Sequence, residues 1–275
     1  MKANPAVTAR QEREATLALS RSLVIGAFIL ALPLVLITTN VRVAISEQAV
    51  YDYSVRTYNA EQATGIPEPE LIRANAELRR YLTEAGAGPL AVKVRNAQGE
   101  LVSLFNARET AHMADVRDLV RVLFVVQALA LAAVLTLAVA MLVLWPPRAL
   151  AAASLYGAVL TAGIVGLAGF VAVSGFDTAW DNFHIIVFRN DLWQLDPHTD
   201  HLIQMFPEPF WQKITLMLGG ATLAEASFLA LLSAAYLYLS RPRAQEPSVL
   251  PPAALSHAPS AGNRPRAPGR ERFVH

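Results

Sequence analysis

Two histidines, each with an aspartate three positions away, are the residues of this sequence best suited to proton-transfer chemistry. His112 precedes Asp115, and Asp181 precedes His184. Residues three apart share one face of a helix. A carboxylate beside a histidine fixes its tautomer and raises its basicity, so each pair suits general acid–base catalysis. The alternative interpretation of each histidine is an interfacial residue with a satisfied hydrogen bond.

Other common kinds of active site have no signature in the sequence. None of the 275 residues is cysteine, which excludes disulfides, thiolate metal sites and cysteine nucleophiles. There is no Gly-x-Ser-x-Gly elbow, His-Glu-x-x-His motif, phosphate loop or dinucleotide fingerprint, so no cofactor is expected. A metal held by His112, His184 and a nearby aspartate is chemically allowed, but the spacing fits no compact metal motif. His198 and His201 are expected to be surface residues.

The composition indicates a membrane protein. Hydrophobic residues make up 54% of the chain and charged residues 16%, with a mean hydropathy of +0.35, whereas about a quarter of an ordinary soluble domain is charged. The formal net charge of +1 offers no case for nucleic-acid binding. A helix needs about 20 apolar residues to cross a bilayer. Four segments qualify, and we predict spans at 22–41, 120–146, 149–176 and 214–240.

The predicted fold class is a mainly α membrane protein, a bundle of four transmembrane helices with a small α+β extracytoplasmic cap. Positive charges in the 1–21 and 241–275 tails place both termini in the cytoplasm by the positive-inside rule. Residues 42–119, the cap, and residues 177–213, the active-site loop, are then expected outside. The 241–275 tail is rich in Pro, Ala, Ser and Arg and is expected to be disordered. A cleaved signal peptide is the alternative interpretation of the first apolar segment.

The long loop between the first two spans has patterns of its own. Apolar spacing predicts an amphipathic helix over 70–84, and two short strands over 90–94 and 100–105 are joined by a hairpin signal. Residues 106–118 are expected to return as a helix that continues into the second span. The cap should therefore fold as a small unit above the bundle.

The residues nearest the membrane carry two further expectations. Glu225 is the one acidic residue inside a predicted span, so it should face the bundle or be neutral. Four aromatic residues of the second loop are expected to anchor it at the membrane surface: Trp180, Trp193, Phe210 and Trp211.

Two longer motifs enclose the histidine pairs. Residues 105–116 contain Phe-Asn-Ala-Arg-Glu and then His-Met-Ala-Asp-Val. Residues 183–207 contain Phe-His, Asn-Asp-Leu-Trp, Leu-Asp-Pro and Phe-Pro in that order. With four spans and a large first outer loop, these motifs resemble the lipoprotein intramolecular transacylase family, within a broader group of bacterial integral membrane proteins. The resemblance covers roughly residues 21–240.

This resemblance implies a multi-pass enzyme of the bacterial cell membrane whose active site faces outward. Such an enzyme moves the sn-2 acyl chain of a diacylglyceryl-cysteine lipoprotein onto that cysteine's own amino group, giving a lyso-form lipoprotein. The family's two essential histidines would map onto His112 and His184. The implied partners are a diacylglyceryl lipoprotein and membrane lipids, with no nucleic acid.

The chemistry of the residues agrees with that role. One histidine would deprotonate the amine, and the other would protonate the departing glycerol oxygen or bind the oxyanion, with the assignment open. Five supporting residues are expected. Asp115 and Asp181 could orient the histidines, and Arg189 and Asn190 could contact an oxyanion or a headgroup. Asp191 is an adjacent acid. The alternatives are another membrane acyltransferase or lipid hydrolase with the same histidines, a metalloenzyme, and a non-enzymatic membrane scaffold.

Overall fold

The computed structural model describes the backbone of residues 5–241 and the side chains of residues 12–241. The elements follow in chain order: α1 (Pro5–Ser46), α2 (Gln48–Thr57), α3 (Ala60–Thr64), α4 (Glu68–Thr83), β1 (Lys93–Arg95), β2 (Leu101–Ser103), α5 (Ala107–Leu144), α6 (Pro147–Ser174), α7 (Phe176–Val187), α8 (His201–Met205) and α9 (Glu208–Leu239). Within these residues, α1, α5, α6 and α9 are long and apolar enough to cross a membrane. The predicted four-helix membrane class is confirmed. The tail that was expected to be disordered, residues 241–275, lies outside the described residues after position 241.

The four long helices pack into one bundle, with α1 against α5 and α6, and α6 against α9. Gly157 on α6 allows a close approach to α1, because a Cβ atom there would lie 2.7 Å from Cδ2 of Leu32. Phe28, Leu32 and Met141 are buried in the apolar layer that joins these helices. Small residues serve such contacts between membrane helices, where the backbones approach closely. The first helix is thus packed against the other long helices.

The helix that carries His112 is much longer than a membrane requires. At 1.5 Å per residue the 38 residues of α5 extend about 57 Å, against about 30 Å for the apolar layer of a bilayer. Its uncharged stretch begins at Val122, whereas charged residues recur from Arg108 to Arg121. The first turns of α5, with His112, therefore project beyond the membrane-spanning part. This helix begins in a capping box between Asn106 and Glu109.

Within the predicted cap, residues 47–106 pack in an apolar core that also includes residues of α5, α8 and α9. The cap helix α4 corresponds to the helix predicted over 70–84, and β1 and β2 form the predicted antiparallel hairpin, with Val94 opposite Val102. Each strand has only three residues, fewer than expected. Leu71 and Leu78 on α4 are 0% and 2% exposed and pack in this core. Burial of their face explains why α4 forms and where it lies.

Glu225 on α9 has a polar partner on α1. Its Oε2 accepts a hydrogen bond of 2.8 Å from Nδ2 of Asn40, which also lies 3.2 Å from Oγ1 of Thr222. An ionisable residue in a membrane helix is costly unless it is neutral or paired within the bundle. Glu225 itself is exposed, and the bond to Asn40 ties it to α1.

Candidate active site

Helices α5 and α7 place the two histidines beside each other. The ring centroids of His112 and His184 are 6.1 Å apart, with 40° between the ring planes. The two residues are 7% and 6% exposed. At this separation, one small polar group can contact both rings.

His184 has a tautomer fixed by its own helix. Its Nδ1 lies 2.8 Å from the carbonyl oxygen of Trp180, one turn earlier on α7. A carbonyl oxygen can only accept, so Nδ1 carries the hydrogen and Nε2 keeps a lone pair. Burial lowers the pKa of His184, against smaller raising effects of the Trp180 carbonyl and the Asp181 charge. At neutral pH, Nε2 is therefore suited to accept a proton.

His112 has the opposite character. Its Nδ1 is buried without a hydrogen-bond partner among the described side chains and backbone. Burial, with a smaller effect of His184, lowers the pKa of His112 to about 4, despite a raising effect of Asp115. A buried N–H without an acceptor is especially unfavourable, so the tautomer with hydrogen on Nε2 is favoured. The neutral ring then offers a donor at Nε2.

Aromatic side chains enclose the histidines. Trp193 stacks on His184 at 4.9 Å between centroids, and the edge contact of Trp180 is at 4.6 Å. Phe188 lies 5.1 Å from His112 and 5.6 Å from His184. Sequence reasoning treated the two tryptophans as membrane anchors and did not foresee this contact. The anchor prediction is wrong for Phe210, which is 2% exposed and packs in the cap core.

Asp115, an expected orienter, hydrogen-bonds elsewhere. Its Oδ2 accepts a bond of 2.9 Å from Nδ2 of Asn190, whose Oδ1 accepts from the backbone N–H of Leu192. Asp115 therefore acts on His112 through its charge rather than through a hydrogen bond. Asp181 is exposed and likewise acts on His184 by charge.

The other supporting residues lie on the stretch after α7. Arg189 and Asp191 have exposed side chains. The backbone carbonyl of Asp191 accepts a hydrogen bond from the guanidinium of Arg108 on α5. Together with the bond between Asn190 and Asp115, this contact ties the stretch that carries Phe188 and Trp193 to the helix that carries His112.

Sequence reasoning missed a buried polar link one turn before His112. Glu109 is 1% exposed, and its carboxylate accepts from the backbone N–H of Asn106 at 2.7 Å and of Leu202 at 2.6 Å. Asp200, 6% exposed, accepts from the side-chain amide of Asn106 at 2.7 Å and from the backbone N–H of Asp196 at 2.8 Å. Burial raises the pKa of Glu109, against the lowering effect of its two backbone hydrogen bonds, and the Asp200 charge adds a smaller raising effect. The Asn-x-x-Glu capping pattern was the available signal.

The remaining histidines are separate from the pair. His198 is exposed, and Nδ1 of His201 lies 2.6 Å from the carbonyl oxygen of Leu104, a structural contact to the cap. Among residues 12–241, no three His, Asp or Glu side chains are grouped so that they could hold a metal ion.

Comparisons with known proteins agree on one family. A family model described as lipoprotein intramolecular transacylase Lit matches residues 26–211. The structure of Lit from Bacillus cereus is similar to this chain with a TM-score of 0.68 and 17% identity, over 81% of this chain and 97% of that one. A variant of that enzyme with one histidine replaced by alanine has a TM-score of 0.65 and 17% identity, over 82% and 97%. No curated protein matches. At such identities the structural likeness establishes the fold alone.

Proposed function

Because the chain belongs to the lipoprotein intramolecular transacylase family, we propose that it transfers the sn-2 acyl chain of a diacylglyceryl lipoprotein to the amino group of the same cysteine. The observation that carries the proposal is the pair of buried rings of His112 and His184, 6.1 Å apart. One ring offers a lone pair and the other an N–H. Acyl transfer to an amine needs both functions in one place.

The reaction uses the two rings in complementary roles. The amine nitrogen attacks the sn-2 ester carbonyl carbon, and Nε2 of His184 removes a proton from that nitrogen. Nε2–H of His112 donates to the oxygen that becomes negative, as a neutral imidazole can. The bond between the carbonyl carbon and the glycerol oxygen then breaks. The proton held by His184 passes to that oxygen, leaving an amide and a free hydroxyl.

No protein nucleophile is required for this transfer. The amine and the ester belong to one molecule, so proximity supplies much of the rate enhancement. The aromatic shell of Trp180, Phe188 and Trp193 limits access of water to the histidines. Exclusion of water favours attack by the amine over hydrolysis of the ester.

The site is assigned to the outer face of the bacterial cell membrane, with both chain termini in the cytoplasm. The distribution of Lys and Arg along the sequence supports this orientation. The first turns of α5 precede its apolar stretch, which begins at Val122, and this supports a position of His112 at the membrane surface. A lipid-anchored substrate would present its glycerol esters at that level.

Mass spectrometry of the N-terminal lipopeptide of a lipoprotein tests the proposal. The host should make diacylglyceryl lipoproteins with free amines, with and without this protein. We expect one acyl chain to move from glycerol to the amine, and His112→Ala and His184→Ala to lower the yield by at least about 100-fold. His198→Ala, at an exposed histidine, is the matched control and should stay active. Release of free fatty acid instead would indicate a hydrolase, and full activity of either alanine variant would refute the assigned roles.

A further inference from the structure

We infer that the carboxylate of Asp115 binds the substrate's α-ammonium group, which then releases one proton to solvent and attacks as the neutral amine. This contact makes Asp115 a determinant of specificity for a free amino terminus. This inference rests on the proposed function. Asp115 lies on α5, three residues after His112, and is half-buried.

The site needs an anion for this step because its own rings are uncharged. An α-amino group has a pKa of about 8, so most substrate molecules carry a positive charge at neutral pH. Both histidines are buried, and their lowered pKa values keep them neutral there. The aromatic shell adds no compensating charge. A cation that loses its water shell beside these groups is costly unless an opposite charge lies close by.

Asp115 is the acid best placed to supply that charge. Its Oδ2 accepts a hydrogen bond of 2.9 Å from the neutral amide of Asn190, which leaves Oδ1 able to accept another. Its charge reaches the His112 ring, since it raises the pKa of that ring. The hydrogen bond from the Asn190 side chain orients the carboxylate of Asp115 without neutralising its charge.

The neighbouring charged groups are engaged or exposed. Asp118, one turn further along α5, pairs with Arg121 at 3.1 Å. Arg108 donates to the backbone of the stretch after α7. Asp181 and Arg189 are exposed to solvent. Within residues 12–241, no salt bridge neutralises Asp115, so its charge remains available to a bound cation.

A binding experiment with unreactive ligands isolates this role from catalysis. The probes are two dialkyl-ether analogues of the glyceryl-cysteine peptide, one with a free amine and one N-acetylated, and the protein is the full chain in lipid nanodiscs. We expect the wild-type protein to bind the free amine at least about tenfold more tightly, the range of a charge-assisted hydrogen bond. Asp115→Asn should abolish that preference while its affinity for the acetylated analogue stays within about twofold of wild type.

The control is Asp118→Asn, which removes a carboxylate of the same helix and should keep the preference. An Asp115→Asn protein that still prefers the free amine would overturn the inference and leave the proposed function intact. An equal loss of affinity for both analogues would also overturn it, because it would indicate a structural role. Failure of the wild-type protein to bind either analogue would contradict the proposed function itself, and this inference with it.

Discussion

The cap and the α6–α8 connection, residues 175–200, meet at the same end of the bundle but are stabilised in different ways. The cap buries a continuous apolar core that includes Leu71 and Leu78. The connection buries only three of its residues, Phe176, His184 and Asp200, and two of these are polar. Half of the proposed catalytic pair therefore lies on the region that buries few of its residues.

Hydrogen bonds to α5 hold the connection in place. Asn190, Asp191 and Asp200 each hydrogen-bond to the capping residue or first turns of that helix. These contacts hold His184 beside His112, whose own helix is anchored both in the cap and in the bundle. Substitutions in the cap core should therefore change stability, whereas substitutions in the connection should change the geometry of the site.

The largest effect on stability is expected from Leu71→Ala in the cap. Leu71 is 0% exposed, and a buried leucine replaced by alanine costs about 2–5 kcal/mol. Denaturant unfolding in detergent should show this loss, while activity per folded molecule stays near that of wild type. Leu101→Ala, at a leucine that is 59% exposed, is the control. A variant of wild-type stability with reduced activity would contradict the division between the two regions.

A second effect depends on pH and distinguishes the histidine site from the apolar core. The pKa of His112 is about 4 in the folded protein, against about 6.5 for an unperturbed histidine. Between these values the unfolded chain binds more protons than the folded one, so stability falls as pH decreases from 6.5 towards 4. This single group accounts for about 3 kcal/mol over that window.

Unfolding measured at several pH values between 4 and 7 in the wild type and in His112→Phe checks this effect. The difference in unfolding free energy between the two proteins should vary with pH in that window, because the variant lacks the titrating ring. The same comparison for His198→Phe, at an exposed position, serves as the control. A difference that is constant with pH would show that the His112 ring titrates normally.

The sequence predicted the elements that have strong periodicity and missed those that depend on distant partners. The four spans, α4 and the hairpin follow from apolar runs and local turn signals. The contact of Trp193 with His184 could not be foreseen, because it depends on how the connection folds back over α5. Asp115 illustrates the same limit. Its spacing predicts that it lies near His112, but the spacing does not predict its hydrogen bond with Asn190.

The smallest expected effect, and the one that tests how the two regions are joined, is from Glu109. Glu109→Ala leaves the N–H of Asn106 and the buried N–H of Leu202 without their acceptor, at a cost of about 1–3 kcal/mol. Glu109→Gln should lie between wild type and alanine, since an amide keeps one acceptor oxygen. Glu208→Ala is the control, because Glu208 is an exposed glutamate in the first turn of α9.

Hydrogen exchange and activity together decide what this link does. If Glu109 joins the regions, Glu109→Ala accelerates exchange in residues 188–206 but not in the cap helix α4, and activity falls more than the fraction unfolded explains. Faster exchange throughout the cap would mean that Glu109 belongs to the cap core. That result would refute the separate roles of the two regions, because the apolar core of the cap and His184 on the connection would then belong to one cooperative unit.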